Sequence, residues 1–289
     1  MLKRLLIKDK WLEFYSFSHF VWQRLQASQW QLNAAALTYT SLFALVPMMT
    51  VSYVVLSFMP QLETIQSQIE QFIFTHFLPD TGNQVKVYLN QFSQQAKTLT
   101  VPGILMLIIT ALMMLNTIEN TLNNIWGVKQ GRRGVDSFLL YWAVLSLGPV
   151  LVGSGLMFST YLFSLGFLTD VKDMVVQPLI LQLGQLVPLF LTTAALCLIY
   201  STVPNCRVPL KHAMTGAFVA ALIFELTKTI FAYSIKHSSY KLIYGAFAAV
   251  PLFLAWIYLC WTIVLFGAVL VRSLSTYQQT ERDNTTDNS

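Results

Sequence analysis

Two residues midway along an apolar stretch carry the sharpest chemical signal in this 289-residue chain: Glu225 and Lys228. Ionised side chains inside a long apolar helix are costly, and they are held by a wet cavity or by each other. At a spacing of three, both stand on one helix face and can neutralise one another. Two readings stay open: a substrate or proton site, or a self-paired clamp between helices. A second polar group closes an earlier apolar stretch, with Asn116, Glu119, Asn120, Asn123 and Asn124 in close succession. Asn116, Asn120 and either Asn123 or Asn124 form one polar stripe at helical spacing. Amides of this kind tie neighbouring helices together in a bilayer. That packing role leads, with a polar pathway as the other reading, and Glu225, Lys228, Glu119, Asn116 and Asn120 are the candidate intramembrane polar site.

Other chemistries find no residues to carry them. No phosphate-cradling GxxxxGK[ST] run is present, so ATP-driven work within this chain is not expected. The histidines, His19, His76, His212 and His237, are scattered, and no HExxH or GxSxG pattern occurs. Cys197, Cys206 and Cys260 lack CxxC spacing and read as small, unpaired thiols in apolar surroundings. No catalytic residue, metal ligand or cofactor is assigned, and an enzyme is not expected. Net charge is +5, but the basic residues sit between apolar runs and form no nucleic-acid stripe.

The elements that must position these residues follow from composition. Hydrophobic residues make up 55% of the chain and charged residues 11%, roughly half the charge of a soluble domain. A span needs about 20 mostly apolar residues. Six stretches qualify: 34–59, 101–125, 138–165, 179–203, 213–235 and 246–271. Lipid offers no partner to an open backbone, so helices are the only sensible form. The fold expected is an all-α, polytopic membrane protein with a six-helix bundle over 32–275. Pro47, Pro149, Pro188 and Pro251 fall inside spans and are expected to kink them. In each set of three spans the first and third carry a proline and the middle one carries acidic residues, a pattern that fits an inverted repeat. Gly216 with Ala220 and Ala217 with Ala221 give small-residue pairs for close helix packing.

Outside the spans, residues 1–31 form a cytoplasmic or interfacial segment. Trp11, Phe14, Tyr15, Phe17, Val21, Trp22 and Leu25 recur at helical spacing within it. That helix either lies on the inner leaflet or packs on the bundle. The N-terminus lacks a clean apolar core and a cleavage site, so the mature chain is expected to keep it. Residues 60–100 read as two amphipathic helices in an external hairpin around Pro79-Asp80-Thr81-Gly82. The polar stretch 276–289 reads as a disordered tail. Lys and Arg set the orientation. Twelve lie in the N-terminal segment, the second and fourth loops and the tail, against Lys86, Lys97, Lys172, Lys236 and Lys241 on the opposite side. The excess places both termini in the cytoplasm.

Three motifs in order carry a resemblance. They are Ala34-Ala35-Ala36-Leu37-Thr38-Tyr39 through Leu45-Val46-Pro47, Ile118-Glu119-Asn120-Thr121-Leu122-Asn123-Asn124-Ile125-Trp126, and Tyr244-Gly245-Ala246-Phe247-Ala248-Ala249-Val250-Pro251 through Leu265-Phe266-Gly267-Ala268. Over about residues 20–272 the chain resembles the YihY/BrkB family of bacterial membrane proteins. The resemblance implies a six-span protein of the bacterial inner membrane. Members have carried the label ribonuclease BN, which is misapplied to this type of chain. Others carry a serum-resistance or virulence label, and transport of envelope lipids is suggested for relatives. No catalytic residue comes with the resemblance. The leading expectation is a transporter-like protein that moves an envelope lipid or another amphipathic molecule without ATP hydrolysis, with membrane lipids as partners. A scaffold that docks an envelope protein through 60–100 comes second, and a ribonuclease last.

Overall fold

A computed structural model describes residues 2–57, 101–128, 132, 176–237 and 249–286. Every described element is an α-helix: α1 (Leu2–Ala27), α2 (Trp30–Ser57), α3 (Val101–Trp126), α4 (Val176–Thr202), α5 (Leu210–His237) and α6 (Ala249–Thr286). Five of the six expected apolar stretches are thus helical, while 138–165, the hairpin at 60–100 and Pro149 lie outside the described residues. Two helical stretches, Leu210–His237 and Val250–Tyr277, are long and apolar enough to cross a membrane.

The stretch 276–289, expected to be disordered, is helical as far as Thr286. No proline or glycine interrupts α6 beyond Gly267, and Gln278, Gln279, Glu281 and Arg282 are good helix formers, so propensity carries the helix past its apolar part. Pro188 stands inside α4 and Pro47 inside α2. Pro251 stands near the described start of α6, directly after residues 238–248, which lie outside the described residues.

Helix α6 is the common partner, packing on α5, α2, α1, α3 and α4. At Gly267 it meets both α4 and α5 closely. The buried face of α5 is built from Ala213, Gly216, Ala217, Ala220 and Ala221, which allows close backbone approach. A Cβ on Gly267 of α6 would lie 2.2 Å from the Tyr200 hydroxyl and 2.8 Å from the Ala220 Cβ. Tyr200 itself is fully buried, and its hydroxyl donates to the Val264 carbonyl at 2.8 Å. Gly267 is therefore the notch that admits the Tyr200 ring. Further along, Trp256 of α6 meets Phe224 and Phe231 of α5 with ring centres 5.7 and 5.1 Å apart. Trp261 Nε1–H donates to Ser41 Oγ of α2 at 2.8 Å, tying the other side of α6.

Helix α1 rests on the far part of α6, where Val21 and Leu25 share an apolar cluster with Val269 and Leu270. Phe17 meets Tyr277 edge to face at 5.5 Å. Of the two sequence readings for this segment, packing on the bundle accounts for that face, while Tyr15 and Trp22 stay exposed on another. The turn into α2 is fixed by Asn33 Nδ2, which donates to the Ser28 carbonyl at 2.9 Å. Gln29 takes a φ of 48° there.

Candidate functional site

Glu225 and Lys228 form the ion pair their spacing predicts, with Lys228 Nζ 2.5 Å from Glu225 Oε2. The two side chains remain 21% (Lys228) and 30% (Glu225) exposed. They stand near the middle of α5, about one to two turns beyond Ala221, with Lys228 on the side of the buried face and Glu225 at its edge. The exposed face beside them is mostly apolar, running through Met214, Phe218, Leu222, Leu226 and Ile230 at intervals of four residues, with the hydroxyls of Thr215 and Thr229 bonded back to the helix's own carbonyls. A stripe of that kind suits hydrocarbon and not water. The pair is thus a compact polar break at the flank of an apolar outer face, neither sealed in the core nor set free in a loop.

The second polar group divides in two. Glu119 and Asn123 are both 2% exposed, whereas Asn116, Asn120 and Asn124 are exposed on another face of α3. That exposed face is apolar at Ile109 and Met113 and amide-rich from Asn116 onward. The buried face ends in a turn set by Gly127, whose φ of 70° suits a residue without a Cβ. Val128 N–H donates to the Asn123 carbonyl at 2.9 Å and Gly127 N–H to that of Asn124 at 3.1 Å, the paired bonds that close a helix on a left-handed residue.

Just beyond this turn, Arg132 joins α3 to the end of α4. Its backbone N–H donates to Glu119 Oε1 at 3.2 Å. Its guanidinium donates to the carbonyls of Val203 at 2.8 Å, Thr202 at 3.0 Å and Pro204 at 3.4 Å. These are carbonyls at and just past the end of α4, and a cation there also complements the helix dipole. Asn123 Oδ1 accepts from Asn205 N–H at 2.7 Å, and Asn123 Nδ2 lies 3.5 Å from Glu119 Oε1. Chemically this is a locked joint in which each named group meets another, and it positions α3 against the α4–α5 loop.

The sequence-predicted residues fall on two helices: α3, with the asparagine stripe, packs on α2 and α6, and α5, with the ion pair, packs on α4 and α6. Arg132 and Tyr200 carried no site role in the sequence. Arg132 had a visible signal, a charge placed shortly after a helix-ending glycine, but its target lies about 70 residues further on. Among the described residues no His, Cys, Asp or Glu group is arranged to hold a metal ion.

The family model described as virulence factor BrkB matches residues 21–289. Among curated relatives, a UPF0761 membrane protein of Teredinibacter turnerae is 49% identical over 253 residues, covering 87% of this chain and 58% of the relative. One from Saccharophagus degradans is 50% identical over 246 residues, covering 85% of this chain and 56% of the relative. One from Azotobacter vinelandii is 46% identical over 278 residues, covering 96% of this chain and 67% of the relative. The chain spans about three fifths of the length of the first two relatives. No solved structure matches.

Proposed function

The chain belongs to the family described as virulence factor BrkB, whose curated relatives are named membrane proteins, and from that premise we propose that it moves an amphipathic envelope molecule, a lipid, across the bacterial inner membrane without nucleotide hydrolysis. One observation carries this reading: the partly exposed Glu225–Lys228 pair stands at the flank of a mostly apolar outer face near the middle of α5. A headgroup crossing hydrocarbon needs polar partners on the way, while its tails need an apolar wall beside them. An ion pair open on one side supplies both within a few ångströms, and each charge can exchange its partner for a headgroup charge of opposite sign. The asparagine face of α3 stands on a different helix and is not needed for this route.

The proposal includes a six-span bundle with both ends in the cytoplasm. Its support is the placement of Arg24, Arg132, Arg207, Lys211 and Arg272 at one end of the described helices, with Lys236 at the other. A periplasm-dependent reporter fused near Gly82 should be active, and the same reporter at the C-terminus silent; activity at both points breaks the orientation. In this reading the chain is not an enzyme, needs no cofactor and binds no nucleic acid.

Transport is tested by reconstitution into liposomes carrying labelled lipid in one leaflet. Wild-type protein should raise leaflet exchange well above the empty-liposome rate for at least one lipid class. Exchange that stays at the empty-liposome rate across several lipid classes and ion gradients sinks the transport reading and leaves a docking role.

A further inference from the structure

At the arginine-rich end of the bundle a pocket of about 270 Å³ opens where three helices meet. Arg24 and Ser28 from the end of α1 line it, with Asn124 and Gly127 from the end of α3 and Val269 and Arg272 from α6. Two arginines thus line one cavity, and no carboxylate is among its described lining residues. Arg24 is partly held, with Nη1 donating to Thr276 Oγ1 at 3.2 Å and its charge lying 4.6 Å from the centre of the Phe20 ring. Arg272 has no hydrogen-bond or ion-pair partner for its guanidinium among the described residues. Burial, and then the positive charge of Arg272, push the Arg24 pKa down. The dipole of α1 accounts for one cation in its last turn, which Arg24 already supplies; it does not account for the second. At the nearby end of α3 the carbonyls of Asn123 and Asn124 are already taken by the backbone turn.

We propose that this pocket is a binding site for a phosphate group, held between Arg24 and Arg272 with the Asn124 amide at its edge. Two planar donor forks at one cavity suit a tetrahedral oxyanion, and its charge removes the repulsion between them. Arg272 directly follows the apolar stretch 246–271, so the pocket stands at the depth of phospholipid headgroups on its side of the membrane. Its phosphate can come from an anionic lipid or from solution. The site is separate from the Glu225–Lys228 pair, and its occupancy does not require transport.

The test uses the full chain in a neutral, non-ionic detergent, followed by thermal melting and by native mass spectrometry. Phosphatidylglycerol, phosphatidylcholine and inorganic phosphate are titrated separately, with sodium chloride at matched ionic strength as control. A melting shift from phosphatidylglycerol but not from phosphatidylcholine identifies an anionic headgroup, and one from inorganic phosphate identifies the free ion. Arg24→Gln and Arg272→Gln should each weaken whichever ligand binds by about tenfold, the loss of one charge-assisted fork. In the absence of ligand the Arg272→Gln protein should melt at or above the wild-type temperature, because a like-charge repulsion is gone. No shift from any of the three, or a shift that both variants keep, overturns the proposal. Arg272→Gln melting well below wild type without ligand also overturns it, because the arginine would then be a structural tie.

Discussion

Gly267→Val is expected to leave almost no folded protein. A Cβ at this position already meets the Tyr200 hydroxyl at 2.2 Å and the Ala220 Cβ at 2.8 Å, and valine adds two methyl groups to the same space. Neither neighbour can step aside cheaply. Tyr200 is fully buried and bonded to Val264, and Ala220 has no rotamer, so α5 must move as a helix. Overpacking by a methylene or two costs about 1–3 kcal/mol in a tight core, and this crossing joins three helices at once. The measurement is recovery of a monodisperse peak from solubilised membranes, followed by a melting curve. Gly267→Ala should be milder, and adding Tyr200→Phe should restore part of its loss by removing the closest atom. A Gly267→Val protein with the wild-type peak and melting temperature would show that the crossing of α4, α5 and α6 is not as described.

The second large effect belongs to the ion pair. Glu225→Gln alone and Lys228→Met alone should each destabilise the protein more than the two changes together. Removing one partner leaves the other charge without its counter-ion near the middle of an apolar helix. In a fully desolvated pair that costs about 3–5 kcal/mol. Both side chains are partly exposed here, so about 1–3 kcal/mol is the working figure after allowing for water that reaches them. The check is a double-mutant cycle by thermal melting, run in detergent and again in lipid nanodiscs. The coupling should be larger in nanodiscs, where hydrocarbon replaces the wetter detergent shell. Additive single effects in both media would mean that the two charges act independently of each other.

The helices were legible in the sequence because long apolar runs admit one backbone solution. The stretch read as 101–125 is helical over Val101–Trp126, and the one read as 213–235 over Leu210–His237. The Glu225–Lys228 pair was legible too, since a spacing of three on a helix fixes the meeting of side chains without tertiary knowledge. What failed to show was rotation about each helix axis. Asn116, Asn120 and Asn123 look alike in a stripe, yet one step of 100° separates the exposed Asn120 and Asn124 from the buried Glu119 and Asn123. Contacts across large separations were equally hidden. The guanidinium of Arg132 reaches carbonyls 70 to 72 residues away, and the notch at Gly267 accepts a ring from Tyr200. No periodicity in either helix announces such a partner. Polarity over 276–286 points to disorder, yet several of the same residues are good helix formers and continue α6 to Thr286.

Helix α6 is the last of the described helices along the chain, and it is the one on which all the others pack. A ribosome therefore releases α2 long before the shared partner of α2 exists. At about 5–20 residues per second, the interval between Trp30 and Val271 is roughly 10–50 s. Throughout that wait the notch for Tyr200 is missing, and Ser41 has no indole to accept from. Until then the main pairings open to the chain are α2 with α3 and α4 with α5, and the arrival of α6 joins the two.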